Sequence, residues 1–324
     1  MGLLVDGQWH DQWYDTSETG GRFVRTESQF RNWITADGSA GETGEAGFAA
    51  QSGRYHLYVS YACPWAHRAL IFRALKGLQS HISVSAVDPL MLENGWEFGQ
   101  DELRDPLFGS DYLYQIYTRN QPDYSGRVTV PVLWDKQREM IVNNESSEII
   151  RMLNTAFNDI TGNHDDYYPV GLQDEINQIN ELVYDKVNNG VYKCGFATTQ
   201  EAYEEAFHEL FDTLEQLEQR LAGQRYLVGS RQTEADWRLF TTLLRFDPVY
   251  VGHFKTNLKR IADYPNLDNY LRELYQVPGV AETVHMDHIK QHYYRSHTTI
   301  NPTGVVPAGP QLDLTAAHDR RKFD

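Results

Sequence analysis

The sequence predicts two unlike halves, an α/β half followed by an all-α half, with an ordered arm at each end. Between Tyr55 and Phe157, short aromatic or β-branched runs alternate with helical stripes. From about Leu172 the periodicity is helical only. Residues 1–53 show little helical periodicity and many Gly, Ser, Thr and Asp residues, and the stretch beyond Gln291 is rich in Pro, Gly, Ser and Thr. The expected boundaries are therefore an arm over 1–53, an α/β domain over 54–160, an all-α domain over 170–290 and a second arm over 291–324.

The α/β half turns on Tyr55–Gly77. Tyr55–Val59 suits a buried strand, and Leu70, Ile71, Ala74, Leu75 and Leu78 then recur at helical spacing. Cys63 stands at the joint. Pro64 is well placed to open the helix, because a first-turn residue has no intrahelical use for its N–H. A cysteine there meets backbone N–H groups and the positive end of the helix dipole, and both favour thiolate over thiol. His67 and Arg68 would add positive potential. Most free cysteines are small buried hydrophobes, but the order strand, Cys, Pro, helix favours a nucleophile of low pKa. Ala66 stands where a Cys-x-x-Cys pair would have its second cysteine. An outside thiol must therefore resolve any disulfide formed on Cys63.

Composition sets the surroundings. A length of 324 residues is enough for two domains with proper cores. Two cysteines argue for a reducing, cytoplasmic compartment. The first residues lack the basic region and apolar core of a signal peptide. No apolar run approaches the ~18–20 residues needed to span a membrane. A net charge of −16 disfavours nucleic acid as the partner. The 20 tyrosines and 7 tryptophans suit a flat, apolar substrate, although aromatics also build cores.

Phe23, Phe30, Trp33 and Phe48 are expected to anchor the N-terminal arm. Ile82–Val87 alternates as a strand, and Asp88–Gln121 is an insert with Tyr112, Leu113, Ile116 and Tyr117 as a helical piece. Gly126–Asp135 is strand-like but interrupted by Pro131. A cis Val130–Pro131 peptide would turn the preceding backbone outward toward a ligand. After Met140–Val142, a helix opens with Asn144 as the expected N-cap and Ile149, Ile150, Leu153 and Phe157 on its inner face. The N–H groups near Glu145 and Ser146 would bind a carboxylate. Together these elements follow a thioredoxin-like βαβ–ββα order.

In the helical half, Leu172, Ile176, Ile179, Leu182, Val183 and Val187 form one stripe. Tyr203, Phe207, Leu210, Leu214, Leu217 and Leu221 form a second, behind the capping-box-like Thr198–Glu201. A third begins at Thr233–Asp236, whose end residues can cap each other, and continues through Trp237, Phe240, Leu243 and Leu244.

The blocks Tyr61–Arg68, Leu92–Trp96, Arg127–Asp135, Asn144–Ser146, Asn188–Lys193, Arg245–Tyr250 and Ile300–Gly304 stand in the order found in one family. Over essentially its full length the chain resembles the glutathionyl-hydroquinone reductases, the Xi class of glutathione transferases. The resemblance implies a thioredoxin-like glutathione-binding domain followed by a helical transferase domain. It implies glutathione as co-substrate and a homodimer; no metal is expected, on the histidine spacing weighed below. It also implies a reaction in which Cys63 attacks the sulfur of a glutathionyl-hydroquinone and a second glutathione resolves the mixed disulfide. By family match Tyr192 donates the proton to the ring, while Tyr250 and Tyr293 lie near Cys63 and lower its pKa. Trp96, Arg127, Val128, Thr129, Val130, Glu145 and Ser146 are implied as glutathione contacts.

Two alternatives remain open at this level. One is another glutathione-dependent thiol transferase or reductive dehalogenase, the other a non-catalytic transferase-like module. His285, His288, His292 and His297 follow one another at spacings of three, four and five, but no acid or cysteine completes a zinc pattern. They are expected to line a pocket or the surface. Cys194 is expected to be a spectator.

Overall fold

The strands and helices that the hydrophobic periods mark out are present in a computed structural model, which describes residues 2–324. The chain divides into two compact units, each assembled from three segments. Residues 1–13, 26–165 and 283–296 form the first, and residues 14–25, 166–282 and 297–324 form the second. The N-terminal arm is thus shared between the units, and a helix at Met286–Ser296 spans position 290 and belongs with the first.

Unit 1 opens with a hairpin of β1 (Leu3–Val5) and β2 (Gln8–His10), followed by a parallel pair, β3 (Trp33–Thr35) and β4 (Gly47–Ala49). β5 (Tyr55–Val59) is buried along its whole length and leads through Cys63 into α1 (Pro64–Leu75). β6 (Ile82–Ala86) follows, then the short hairpin β7 (Met91–Leu92) and β8 (Gly95–Trp96), then α2 (Leu113–Asn120). The strand-like run at Gly126–Asp135 is two strands. β9 (Gly126–Arg127) adds to β1 of the arm, and β10 (Val132–Asp135) joins the main sheet. Between them lies the cis Val130–Pro131 bond. β11 (Met140–Asn143), α3 (Ser146–Thr155) and the single turn α4 (Asn158–Thr161) follow, and the Met286–Ser296 helix completes the unit.

The main sheet has the order β11–β10–β5–β6, with β5 parallel to β6 and antiparallel to β10. α1 and α3 pack together, and Leu70, Ile71, Ile149, Ile150 and Leu153 are all buried. Two expectations are corrected. Glu145, not Asn144, caps α3, because its carboxylate reaches the Ser147 N–H (2.9 Å) while Asn144 is turned to the arm and to Tyr117. Phe157 is buried, but it lies beyond the end of α3.

Unit 2 is helical: α5 (Gln173–Leu182), α6 (Gly190–Phe196), α7 (Gln200–Gly223), α8 (Glu234–Arg245), the short α9 (Val251–His253) and α10 (Pro265–Tyr275). Leu210, Leu214, Leu217 and Leu221 are buried on α7, whose N-cap is Thr199 and not the Thr198 of the expected box: its hydroxyl accepts from the Ala202 N–H at 3.3 Å. The reciprocal cap of α8 forms as its spacing predicts, with the Thr233 N–H donating to Asp236 at 2.7 Å. The first stripe is not one α-helix. After α5 the chain widens into π-helical turns over Val183–Asn188, where the Asn189 N–H reaches back to the Tyr184 carbonyl (2.9 Å). A second π segment, Phe246–Tyr250, follows α8. Such insertions recur at functional sites; the first ends four residues before Tyr192 and the second ends on Tyr250, two residues the sequence singles out.

Candidate active site

In unit 1, Cys63 is the N-cap of α1, extended at φ −74° and ψ 123°, with its carbonyl accepting the His67 N–H at 3.0 Å. The side chain makes no capping bond, so the sulfur is left for other contacts. It is half-buried and lies 3.7 Å from the carbonyl oxygen of Val130, beside the cis proline. The first turn of α1 contains no acid. An anionic sulfur is favoured at that place by the helix dipole.

About one turn further, Arg68 is buried beneath Trp65, its guanidinium carbon 5.0 Å from that ring. It donates to Ser146 Oγ at 3.4 Å, tying α1 to the first residue of α3. Glu145, just before it, receives both the N–H and the hydroxyl of Ser147 (2.9 and 2.8 Å) and, on its other oxygen, Ser28 of the arm at 3.3 Å. Glu145 and Ser146 therefore sit at a helix N-terminus, where a carboxylate is held well.

The remaining residues of this set have mixed surroundings. Val128 and Val130 are buried. Thr129 has its backbone N–H and C=O both engaged by the Tyr117 hydroxyl, at 3.2 and 2.8 Å. Arg127 turns to the arm and donates to the carbonyls of Gln12 and Trp13. Trp96 is buried and stacks on His292 at 4.9 Å. Tyr293, next on that helix, is also buried.

The histidine series is accounted for by ring contacts and hydrogen bonds. His285 stacks on Tyr61 (3.7 Å, 17°), His288 meets the same ring edge-on (5.3 Å), and His292 donates to the Pro89 carbonyl at 2.9 Å. Among the described residues no group of three or more His, Cys, Asp or Glu could hold a metal ion. His297 lies in unit 2, with its Nδ1 3.0 Å from His253 Nε2.

In unit 2, Tyr192 and Tyr250 share one aromatic cluster, their ring centroids 6.1 Å apart. Phe254 lies against both, stacked on Tyr250 (5.4 Å, 9°) and tilted to Tyr192 (5.4 Å). Gly195 is required here, since a β-carbon would fall 2.2 Å from the Phe254 ring. Arg25 covers Tyr192 at 5.1 Å and is held by Asn189 (3.1 Å). Asn188 fixes the π segment to α8 through the Arg238 carbonyl (3.1 Å) and the Thr242 hydroxyl (2.7 Å). Cys194 is buried among these elements, which pushes its thiol up to about 12. Sequence reasoning missed the contacts of Arg25, Tyr117 and Ser28: a lone arginine or serine in an arm carries no pattern, and the helical period at Tyr117 marks a buried position without naming its hydroxyl's partners.

Family models of the glutathione S-transferase N-terminal domain and C-terminal domain match residues 62–156 and 200–273. The glutathionyl-hydroquinone reductase YqjG of Escherichia coli strain K12 is 60% identical over 323 residues, 99% of this chain and 98% of that protein. This chain belongs to the glutathione transferase family. The glutathionyl-hydroquinone reductase PcpF of Sphingobium chlorophenolicum is 58% identical over 97% of this transferase and 98% of its own length. Among solved structures, the glutathione-bound YqjG superposes with a TM-score of 0.92 at 56% identity, covering 99% of both chains. The Xi class transferase of Natrialba magadii superposes with 0.90 at 48% identity, covering all of this chain and 97% of that one. The transferase is of the Xi class.

Proposed function

We propose that this transferase reduces glutathionyl-hydroquinones to hydroquinones with glutathione as co-substrate. The Cys63 thiolate attacks the glutathionyl sulfur, forming the Cys63–glutathione disulfide and breaking the bond from sulfur to the aromatic carbon. That carbon leaves with the electron pair and takes a proton, so the ring is reduced as the two sulfurs are oxidised. A second glutathione thiolate attacks the mixed disulfide, and oxidised glutathione departs with Cys63 again a thiolate.

Tyr192 is assigned the proton to the ring, since a phenol stays protonated at neutral pH yet can donate. Tyr250 and Tyr293 are assigned hydrogen bonds to the Cys63 sulfur. Glu145, Ser146 and the start of α3 would grip the γ-glutamyl end of glutathione, and the backbone at Val130 its cysteinyl segment. Trp96, Arg127, Val128 and Thr129 complete the proposed glutathione contacts. The homodimer and the cytoplasmic location belong to the same proposal, supported by family likeness and by the paucity of cysteines. Among the described residues no helix is long and apolar enough to cross a membrane.

The observation that carries the reading is Cys63 at the N-cap of α1, 3.7 Å from the Val130 carbonyl beside a cis proline. Mass spectrometry after one turnover with a glutathionyl-hydroquinone and no added glutathione tests it. One glutathione on Cys63, released by fresh glutathione, is expected. Full activity in Cys63→Ala would overturn the mechanism.

A further inference from the structure

We propose that Tyr117 is a positioning residue for glutathione: its hydroxyl occupies the backbone polar groups of Thr129 and thereby holds those of Val130 toward the tripeptide. The inference rests on the glutathione-binding reading above.

Tyr117 lies on α2, in the insert, and is fully buried. Burial raises its pKa, so the hydroxyl keeps its proton and can donate. It donates to the Thr129 carbonyl at 2.8 Å and accepts from the Thr129 N–H at 3.2 Å and from Asn144 Nδ2 at 3.1 Å. A phenol has one proton and two acceptor sites, and all three are used. The next carbonyl in the chain, that of Val130, lies at Cys63 instead, 3.7 Å from the sulfur. Successive residues thus offer their polar groups to different partners, Thr129 to Tyr117 and Val130 to the cysteine.

The same hydroxyl spans two segments. Asn144 directly precedes Glu145 and Ser146, and its Oδ1 accepts the Phe30 N–H of the arm at 3.1 Å. One oxygen therefore sets the cysteinyl-binding segment against the γ-glutamyl-binding turn. Phe30 and Tyr124 pack on the Tyr117 ring at 5.8 and 5.2 Å, and Tyr124 donates to the Arg127 carbonyl at 3.2 Å. The packing can thus be altered without removing the Tyr117 hydroxyl.

The test is glutathione binding by calorimetry, with steady-state kinetics, on the full chain and on Tyr117→Phe, Asn144→Ala and Phe30→Leu. Removing the hydroxyl orphans the Thr129 N–H, its carbonyl and the Asn144 amide. Tyr117→Phe is expected to weaken glutathione about tenfold. Its KM for glutathione should rise by a similar factor while kcat stays within about twofold. Asn144→Ala should weaken binding about threefold, and it carries the test if Tyr117→Phe does not fold. Phe30→Leu loosens the packing but keeps every one of these hydrogen bonds, so its affinity should match the wild type. Tyr117→Phe or Asn144→Ala binding as the wild type does, or Phe30→Leu weakening as much as Tyr117→Phe, overturns the proposal. A wild type that binds no glutathione overturns the site reading itself, and this inference with it.

Discussion

Arg25 lies over the Tyr192 ring: the guanidinium carbon is 5.1 Å from the ring centroid, and the Asn189 side chain accepts from Arg25 Nε at 3.1 Å. The arm thereby delivers a cation to the tyrosine proposed as proton donor. Arg25→Met keeps the apolar stem but loses the charge and the bond. It should cost about 1 kcal/mol in denaturant unfolding. Arg25→Lys, which keeps the charge without the planar fork, should recover part of that. An unchanged unfolding midpoint in Arg25→Met would show that the contact contributes nothing.

Glu145 has two tasks that one substitution can separate. It caps α3 through the Ser147 N–H, and it is proposed to hold the amino group of glutathione. Glu145→Gln keeps a capping oxygen but not the charge. It should unfold within about 0.5 kcal/mol of the wild type and lose tenfold or more in glutathione affinity. Glu145→Ala should lose the affinity and about 1 kcal/mol of stability as well. Equal glutathione binding by Glu145→Gln and wild type would remove the charge from the binding role.

The two cysteines should react very differently. Burial pushes Cys194 up to about 12, so at pH 7 it is almost wholly thiol, whereas Cys63 is half-buried at a helix start. Iodoacetamide at pH 7 should therefore label Cys63 and spare Cys194, as read by peptide mass mapping. Cys194→Ala should leave turnover unchanged. Labelling of Cys194 at a comparable rate would contradict its burial.

Acid should destabilise the protein through two buried histidines. Burial lowers both His56 and His253 to about 4, against about 6.5 when unfolded. Below pH 6.5 the unfolded chain binds protons that the folded chain refuses, so stability is complete above that pH and is lost toward pH 4. Each group is worth on the order of 2–3 kcal/mol by the end of that range. His56 lies between the hydroxyls of Ser83 and Ser85, at 2.8 and 3.0 Å, and His56→Gln can meet both without titrating. Urea midpoints between pH 7.5 and 4.5 should fall less steeply in that variant. Identical slopes would show that His56 is not a source of the loss.

The order of elements around Cys63 could be read because period and punctuation agree there: five strand residues, a cysteine, a proline, then a helical stripe. The cap of α8 was legible for the same reason, since Thr233 and Asp236 stand three apart at the start of an apolar face. What could not be read was the work of side chains that reach across the sequence. Asn144 looks like a cap by type, but a bond to Tyr117, 27 residues away, claims its amide, and the next residue caps the helix instead. The π turns were invisible too, because an inserted residue shifts the phase of a stripe without changing its composition. Tyr192 and Tyr250 could be named only through family likeness, as tyrosines among many.

The alternation of segments between the two units also bears on inheritance and engineering. The backbone enters and leaves each unit repeatedly, passing between them near residues 13, 25, 165, 282 and 296. No single cut or single crossover can lift either unit out whole, so half-gene exchange with another transferase, joined near 165, would carry away a body lacking pieces of itself. Chimaeras of this chain need the arm and the 283–296 helix to travel with their own unit.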